Sequence, residues 1–149
     1  VQGGLLSAKF EVEIAKIAIE KDIPIIGICG GFNNILRAVG GDVKEDVTGS
    51  HDYFDKEYRH EDTLVEDSKL YKIIGKKDLQ VNSLHFMIAT EEMVKPYAKV
   101  TAYSYDGLVE AFEIPDKKFV MGFKWHPELM IEEEYVHNIF KEFVDSCKK

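Results

Sequence analysis

The sequence predicts an α/β fold, in which helices pack against a central sheet. Apolar residues recur at helical spacing in residues 10–20 and again in residues 32–39. Between them, residues 23–28 form a short, nearly continuous apolar run, which is typical of a buried parallel strand. The order helix, strand, tight turn, helix therefore predicts a doubly wound arrangement.

The apolar stripe of the first helix consists of Phe10, Ile14, Ile17 and Ala18, and we expect that face to pack on the sheet. Asp22-Ile23-Pro24 ends the helical pattern before the strand, and Gly40-Gly41 ends the second helix.

The remaining two thirds of the chain predict more strands and one closing helix. Residues 42–77 are polar, and we expect a loop with short strands there. Strands are predicted at residues 79–82, 99–105, 109–114 and 119–123. Asp106-Gly107 predicts a hairpin between two of these strands. Residues 131–147 predict an amphipathic helix with Tyr135 and Ile139 on its apolar face.

Composition excludes several classes of protein. The 149 residues fit one domain. A formal charge of -8, from 19 Lys+Arg against 27 Asp+Glu, argues against a nucleic-acid partner. No apolar run approaches the roughly 20 residues of a membrane span, so we expect no membrane partner. Cys29 and Cys147 lie in unlike contexts, which argues against a disulfide and for a reducing, cytoplasmic location. We expect neither a cofactor nor a metal.

The segment Gly27-Ile28-Cys29-Gly30-Gly31 has the form G-x-C-x-G between a buried strand and a helix. This is the thiol counterpart of the nucleophile elbow, a strained turn that exposes a reactive side chain. The following helix directs free N–H groups and a positive dipole end at the sulfur, which favours the thiolate. The Gly30 amide is positioned to donate to an oxyanion. A buried structural cysteine is the alternative interpretation.

A candidate base follows the last predicted strand, in Lys124-Trp125-His126-Pro127-Glu128. Two residues apart in extended chain, His126 and Glu128 lie on the same side, so the carboxylate can orient the imidazole. Taken alone, His126 is as compatible with a surface histidine. Together, Cys29, His126 and Glu128 predict a nucleophile, its base and an orienting acid.

Four ordered motifs resemble the class I glutamine amidotransferases, and most closely their peptidase C26 branch of γ-glutamyl hydrolases. They are Pro24-Ile25-Ile26-Gly27-Ile28-Cys29-Gly30-Gly31, Val81-Asn82-Ser83-Leu84-His85, Asp106-Gly107-Leu108-Val109-Glu110-Ala111 and Gly122-Phe123-Lys124-Trp125-His126-Pro127-Glu128. The resemblance implies a flavodoxin-like, three-layer fold with a mainly parallel central sheet. It also implies hydrolysis of a small γ-glutamyl amide through a thioester on Cys29.

The resemblance further implies substrate-binding residues, namely Asn33, Asn82, Ser83 and His85. The chain differs from the family pattern at Gly30, Asn33, Phe86, Met87 and the Ser7-Ala8 pair, positions that bear on substrate recognition.

The N-terminal region departs most from the family. There, further strands precede the first helix, and a glycine pair at a strand end donates a second oxyanion amide. Only Gly4 and its neighbours are available for that role here. We therefore expect residues 1–149 to be a single catalytic domain that lacks part of its N-terminal region and has exposed apolar strand edges.

Several functions stay open at this point. The first hypothesis is a stand-alone hydrolase. The second is a glutaminase subunit that delivers ammonia to a synthase, and the third is a catalytically impaired binding homologue. The resemblance is compatible with a homodimer. His51 and His60 lie in acidic, polar sequence without a defensible metal-ligand spacing, so we expect a solvated loop there. The resemblance makes a structural role plausible for His60.

Overall fold

The structure is a computed structural model that describes residues 2–46, 48, 57–85 and 87–148, with backbone alone for residues 2–7. His51 and Phe86 lie outside the described residues. The helices, in chain order, are α1 (Gln2–Glu20), α2 (Gly30–Ala38), α3 (Lys69–Ile74), α4 (Glu91–Val94) and α5 (Glu134–Cys147). The strands are β1 (Ile25–Ile28), β2 (Lys44–Glu45), β3 (His60–Leu64), β4 (Asp78–Val81), β5 (Met87–Ile88), β6 (Lys99–Ser104), β7 (Val109–Glu113) and β8 (Val120–Phe123).

Six strands form the central sheet in the order β1-β8-β7-β6-β3-β4, and β2 pairs with β5 separately. The prediction of an α/β fold is confirmed, but the prediction of a mainly parallel sheet is not. Within the described residues, β1 and β8 are the parallel pair, and the other four pairings of the six-stranded sheet are antiparallel. The reason is chain connectivity. Short turns join β6 to β7 and β7 to β8, and a short connection can only reverse the chain, whereas parallel strands need a long crossover.

The turn between β6 and β7 forms as its sequence predicts. Gly107 adopts a φ of 83°, a left-handed value that favours glycine. Its amide donates to the Ser104 carbonyl at 2.9 Å, and the Ser104 amide donates to the Leu108 carbonyl at 2.9 Å. The Asp106-Gly107 hairpin is therefore confirmed.

Two apolar layers cover the two faces of the sheet. One contains Phe32 and Leu36 from α2 and receives Phe112 from β7. The other contains Ile139 from α5 and receives Phe123 from β8. Because alternate residues of β7 and β8 enter opposite layers, the middle of the sheet is buried on both sides, as the three-layer prediction requires.

Helix α1 differs from its prediction in which face it buries. Phe10, Ile14 and Ile17 are 67%, 44% and 51% exposed, whereas Ala15 and Ala18 are buried. Small side chains let α1 approach its neighbours closely, and the large apolar side chains point away. Strand β1 has one neighbour in the described sheet, β8. Strand β1 is therefore an edge strand of the sheet that the structure describes.

The polar middle of the chain contains a helix that the prediction of a loop with short strands missed. Helix α3 begins after Ser68, whose side chain accepts a hydrogen bond from the Tyr71 amide. It ends at Gly75, with a φ of 74°. A serine before the helix and a glycine after it are ordinary boundary signals. The helix has only 6 residues, too few for the 3.6-residue period to stand out.

Within the described residues, no helix combines the length and the apolar character that crossing a membrane requires.

We expect Gly122→Ala to destabilise the protein. A Cβ at residue 122 would lie 2.7 Å from the ring of Phe112, which is fully buried and has no room to move. The free energy of unfolding should fall by about 1–3 kcal/mol, the usual cost of overpacking. Gly31→Ala is the control, because a Cβ there meets nothing within 4 Å and alanine favours a helix. Chemical denaturation of both variants measures the difference, and equal losses would contradict the packing argument.

Candidate active site

Cys29 occupies the turn between β1 and α2 in a strained conformation, with φ 54° and ψ -98°. A positive φ is rare for a residue with a side chain, and such strain is characteristic of functional turns. Gly27 makes the turn sterically feasible, because a Cβ at residue 27 would lie 2.4 Å from the Gly31 carbonyl oxygen. The predicted elbow is therefore present, and its cysteine is partly exposed.

The parallel pairing of β1 with β8 brings the two halves of the site together. The register pairs Ile28 with Phe123, the last residues of the two strands. The Cys29 amide then donates to the Phe123 carbonyl at 2.7 Å. His126 follows Phe123 by three residues. The pairing of β1 with β8 therefore brings the imidazole to the same edge of the sheet as the thiol.

One ring nitrogen of His126 pairs with its predicted carboxylate partner. Its Nδ1 lies 2.8 Å from Glu128 Oε2, and this pair leaves Nε2 for the thiol side. Hydrogen bonding with Cys29 is the largest cause that raises the pKa of His126 to about 9; burial opposes the rise and the bond to Glu128 adds to it. The thiol also has a long contact of 3.9 Å to the Leu84 carbonyl. The arrangement favours an imidazolium beside the sulfur at neutral pH.

Asn82 holds the backbone of His126 from both sides. Its amide nitrogen donates to the His126 carbonyl at 2.9 Å, and its amide oxygen accepts from the His126 N–H at 2.8 Å. Asn82 is fully buried. A buried side-chain amide that uses a donor and an acceptor on one residue fixes that residue's position.

Lys124 is a buried residue next to the nucleophile that sequence reasoning did not identify. Its side chain is 0% exposed, its ammonium donates to Asn33 Oδ1, and it lies 4.7 Å from the centre of the Phe32 ring. Burial lowers the pKa of Lys124 to about 8, while charge at Cys29 and Glu110 acts in the opposite direction. The sequence signal that could have identified this residue is a lysine at the end of an otherwise apolar strand.

The residues predicted to bind substrate are all buried. Asn33, Asn82, Ser83 and His85 are 7%, 0%, 0% and 3% exposed. Asn33 accepts from Lys124, Asn82 holds His126, and His85 Nδ1 lies 2.9 Å from the Met87 carbonyl. Direct contact of these four with a substrate stays a prediction. Of the observed contacts, those of Asn82 fix the backbone of His126, and that of Asn33 ties Lys124 to α2.

The two predicted oxyanion donors differ in their settings. Gly30 begins α2 directly after Cys29, where the first helical amides have no partner within the helix. Gly4 lies within α1 and not at the end of a strand, so the strand-end glycine pair on which its prediction rested is not formed. The early turn of α1 contains Gly3 and Gly4, which are poor helix formers, so local propensity does not explain the helix there.

The chain is similar to known proteins in sequence and in fold. The family model Peptidase C26 matches residues 8–128. Gamma-glutamyl-gamma-aminobutyrate hydrolase of Escherichia coli (strain K12) is 30% identical over 149 residues, covering 91% of this chain and 58% of that protein. The chain thus spans little more than half the length of this curated relative.

Two solved structures share the fold. The glutaminase domain of Trypanosoma brucei CTPS, with bound acivicin, has a TM-score of 0.73 at 16% identity and covers 95% of this chain and 67% of that chain. A glutamine amidotransferase from Thermotoga maritima has a TM-score of 0.62 at 19% identity and covers 93% and 57%. At such identities the likeness concerns the fold.

We expect Glu128→Gln to lower the pKa of His126, by about 1 pH unit, because the carboxylate stabilises the imidazolium. In the unchanged protein the folded-state pKa of about 9 exceeds the roughly 6.5 of an unfolded chain. Protonated His126 therefore stabilises the fold fully below pH 6.5, and this contribution is lost as the pH rises through about 9. NMR titration of the imidazole measures the shift, with the exposed His137 as internal reference. An unchanged midpoint would contradict the orienting contact.

Lys124→Met is expected to slow alkylation of Cys29 by iodoacetamide at pH 7, because a nearby positive charge favours the thiolate. A loss of about 1 kcal/mol of electrostatic attraction between the lysine and the thiolate corresponds to a roughly fivefold slower alkylation of Cys29. Mass spectrometry of each labelled peptide measures the rate, and the exposed Cys147 is the internal reference. Lys141→Met, at a side chain that is 75% exposed, is the matched control. Equal Cys29 rates in the two variants would refute a role for the Lys124 charge.

Proposed function

Because the chain belongs to the peptidase C26 family, we propose that it hydrolyses γ-glutamyl amide bonds through a γ-glutamyl thioester on Cys29. The single observation that best supports the proposal is that Cys29 and His126 follow two paired strands, β1 and β8, and that His126 Nδ1 lies 2.8 Å from Glu128 Oε2. Nucleophile, base and orienting acid are the three groups that acyl transfer through a thiol needs.

In the first step the Cys29 thiolate attacks the side-chain carbonyl carbon of the γ-glutamyl group. A C–S bond forms, and the electron pair of the C=O bond moves onto oxygen. The Gly30 amide, at the first turn of α2, donates to this oxyanion. The His126 imidazolium then gives its Nε2 proton to the amide nitrogen, the C–N bond breaks, and the amine leaves.

In the second step water resolves the thioester. Neutral His126 takes a proton from water through Nε2, while Glu128 holds Nδ1 at 2.8 Å. The resulting hydroxide attacks the thioester carbon, and collapse of the adduct breaks the C–S bond. Glutamate leaves, and the thiolate and imidazolium are restored. The raised pKa of His126 in the free protein keeps the imidazole protonated at neutral pH, as donation to the leaving amine requires.

A panel of substrates tests the proposal. The full-length protein is incubated with glutamine and with γ-glutamyl amides of several amines, and released glutamate is measured by an enzyme-coupled assay. We expect release from at least one amide, and a loss of more than about 10³-fold in Cys29→Ala, as for other nucleophile deletions. Cys147→Ala is the matched control and should keep full activity, because Cys147 is an exposed thiol far along the chain in α5.

Three outcomes would change the assignment. Glutamate release from glutamine only in the presence of a synthase component would identify a glutaminase subunit. Equal release by the Cys29→Ala variant would refute the thiol mechanism. Absence of release from every amide, together with binding of a γ-glutamyl ligand, would identify a binding homologue.

A further inference from the structure

A second group of titratable side chains is buried behind the candidate active site. His60 and Asp62 lie on β3, Glu110 on β7 and His85 shortly after β4. Their exposures are 7%, 0%, 0% and 3%. We call these four residues the His/carboxylate cluster. The two steps of the proposed hydrolysis give none of them a role in proton or acyl transfer. His60 lies in a buried strand, not in the solvated loop predicted from sequence.

The cluster has the dimensions of a metal site. His60 Nδ1 lies 3.2 Å from Asp62 Oδ1, and His60 Nε2 lies 3.6 Å from Glu110 Oε1. His85 Nε2 lies 3.5 Å from Glu110 Oε2. One ligand atom from each of His60, Asp62 and Glu110 can be chosen so that all lie within 4.8 Å of one another. Ligands about 2.0–2.2 Å from a tetrahedral ion are about 3.4 Å apart, so a small inward movement completes the site.

The two carboxylates supply the energetic argument. Asp62 and Glu110 are both fully buried, and none of their four oxygens accepts a hydrogen bond within the described part of the chain. Buried carboxylates normally need hydrogen bonds, a cation or a metal to offset the lost hydration.

A divalent cation offsets this cost more completely than a proton does. Two carboxylates carry a charge of -2, which one divalent ion neutralises while it also ligates the neutral imidazoles. One proton shared between Asp62 and Glu110 serves one oxygen of each carboxyl group and leaves a charge of -1 on the pair. Two nitrogens and two oxygens suit Zn²⁺, whereas Mg²⁺ and Ca²⁺ favour larger sets of oxygens.

We propose that His60, Asp62, Glu110 and His85 bind one divalent transition-metal ion, preferentially Zn²⁺, in a structural site that joins β3 to β7 and to the segment after β4. This departs from the sequence-based expectation of no metal. Such an ion would brace the scaffold of the active site, because Leu84 precedes His85 and contacts the thiol, and the Glu110 carbonyl accepts from the Lys124 amide at 2.8 Å. Metal ligands must be deprotonated, so binding is accompanied by proton release and involves no redox step.

Metal titration of the protein tests the site. The background is Cys29→Ala/Cys147→Ser, which removes both thiols as competing ligands. After treatment with a chelator, Co²⁺ is added and followed by absorption spectroscopy, and Zn²⁺ by calorimetry in buffers of different ionisation enthalpy. We expect one ion per chain, the intense visible bands of four-coordinate Co²⁺, proton release and a raised melting temperature.

Variants locate the ion. Asp62→Asn should weaken Zn²⁺ binding by at least about tenfold. Glu61→Gln is the matched control, since Glu61 is an exposed carboxylate on the same strand, and it should bind as the background does. Equal affinities of the two variants would overturn the proposal. The background protein tests the proposal even if Asp62→Asn fails to fold. If it binds no stoichiometric metal, or gives only a six-coordinate Co²⁺ spectrum, the cluster is a proton-sharing network and not a metal site.

Discussion

The hydrogen bond from the Cys29 amide to the Phe123 carbonyl, 2.7 Å long, joins the two strands on which the active site depends. It is the last rung of the parallel β1–β8 ladder. This hydrogen bond lies directly before the Cys29 turn at the end of β1 and before the His126 segment that follows β8. It therefore limits how far apart the thiol and the imidazole can lie. The strain at Cys29 is tolerable only because the ladder, the close approach at Gly27 and the start of α2 all require the same backbone path.

Buried polar side chains support the site from behind. Asn82 fixes the backbone of His126, and Lys124 extends under α2 to Asn33. Each such group costs free energy to bury unless it finds partners, so each constrains its neighbours once it has them. The same reasoning applies to Asp62 and Glu110. They are as deeply buried as Asn82, yet their oxygens lack hydrogen-bond donors among the described residues.

Much of the fold was predictable from local patterns. The elbow glycines, the apolar run of β1 and the Asp106-Gly107 turn act over a few residues, and the structure forms all three where they were expected. The buried face of α1 was not predictable in this way. A helical stripe shows that a face is apolar, but neighbours decide whether that face is covered, and here alanines pack inward while Phe10 points outward.

The sequence by itself determined which residues have the chemistry: a thiol in a glycine-rich turn, and an imidazole with a carboxylate two residues away. These depend on residue type and short spacing, which a sequence displays directly. The tertiary structure alone decided that Asn33, Asn82 and His85 face inward, that Lys124 lies beneath the nucleophile, and that His60 meets Glu110 across the sheet. Contacts between residues 50 or 90 positions apart depend on strand order and register, and no local pattern specifies these.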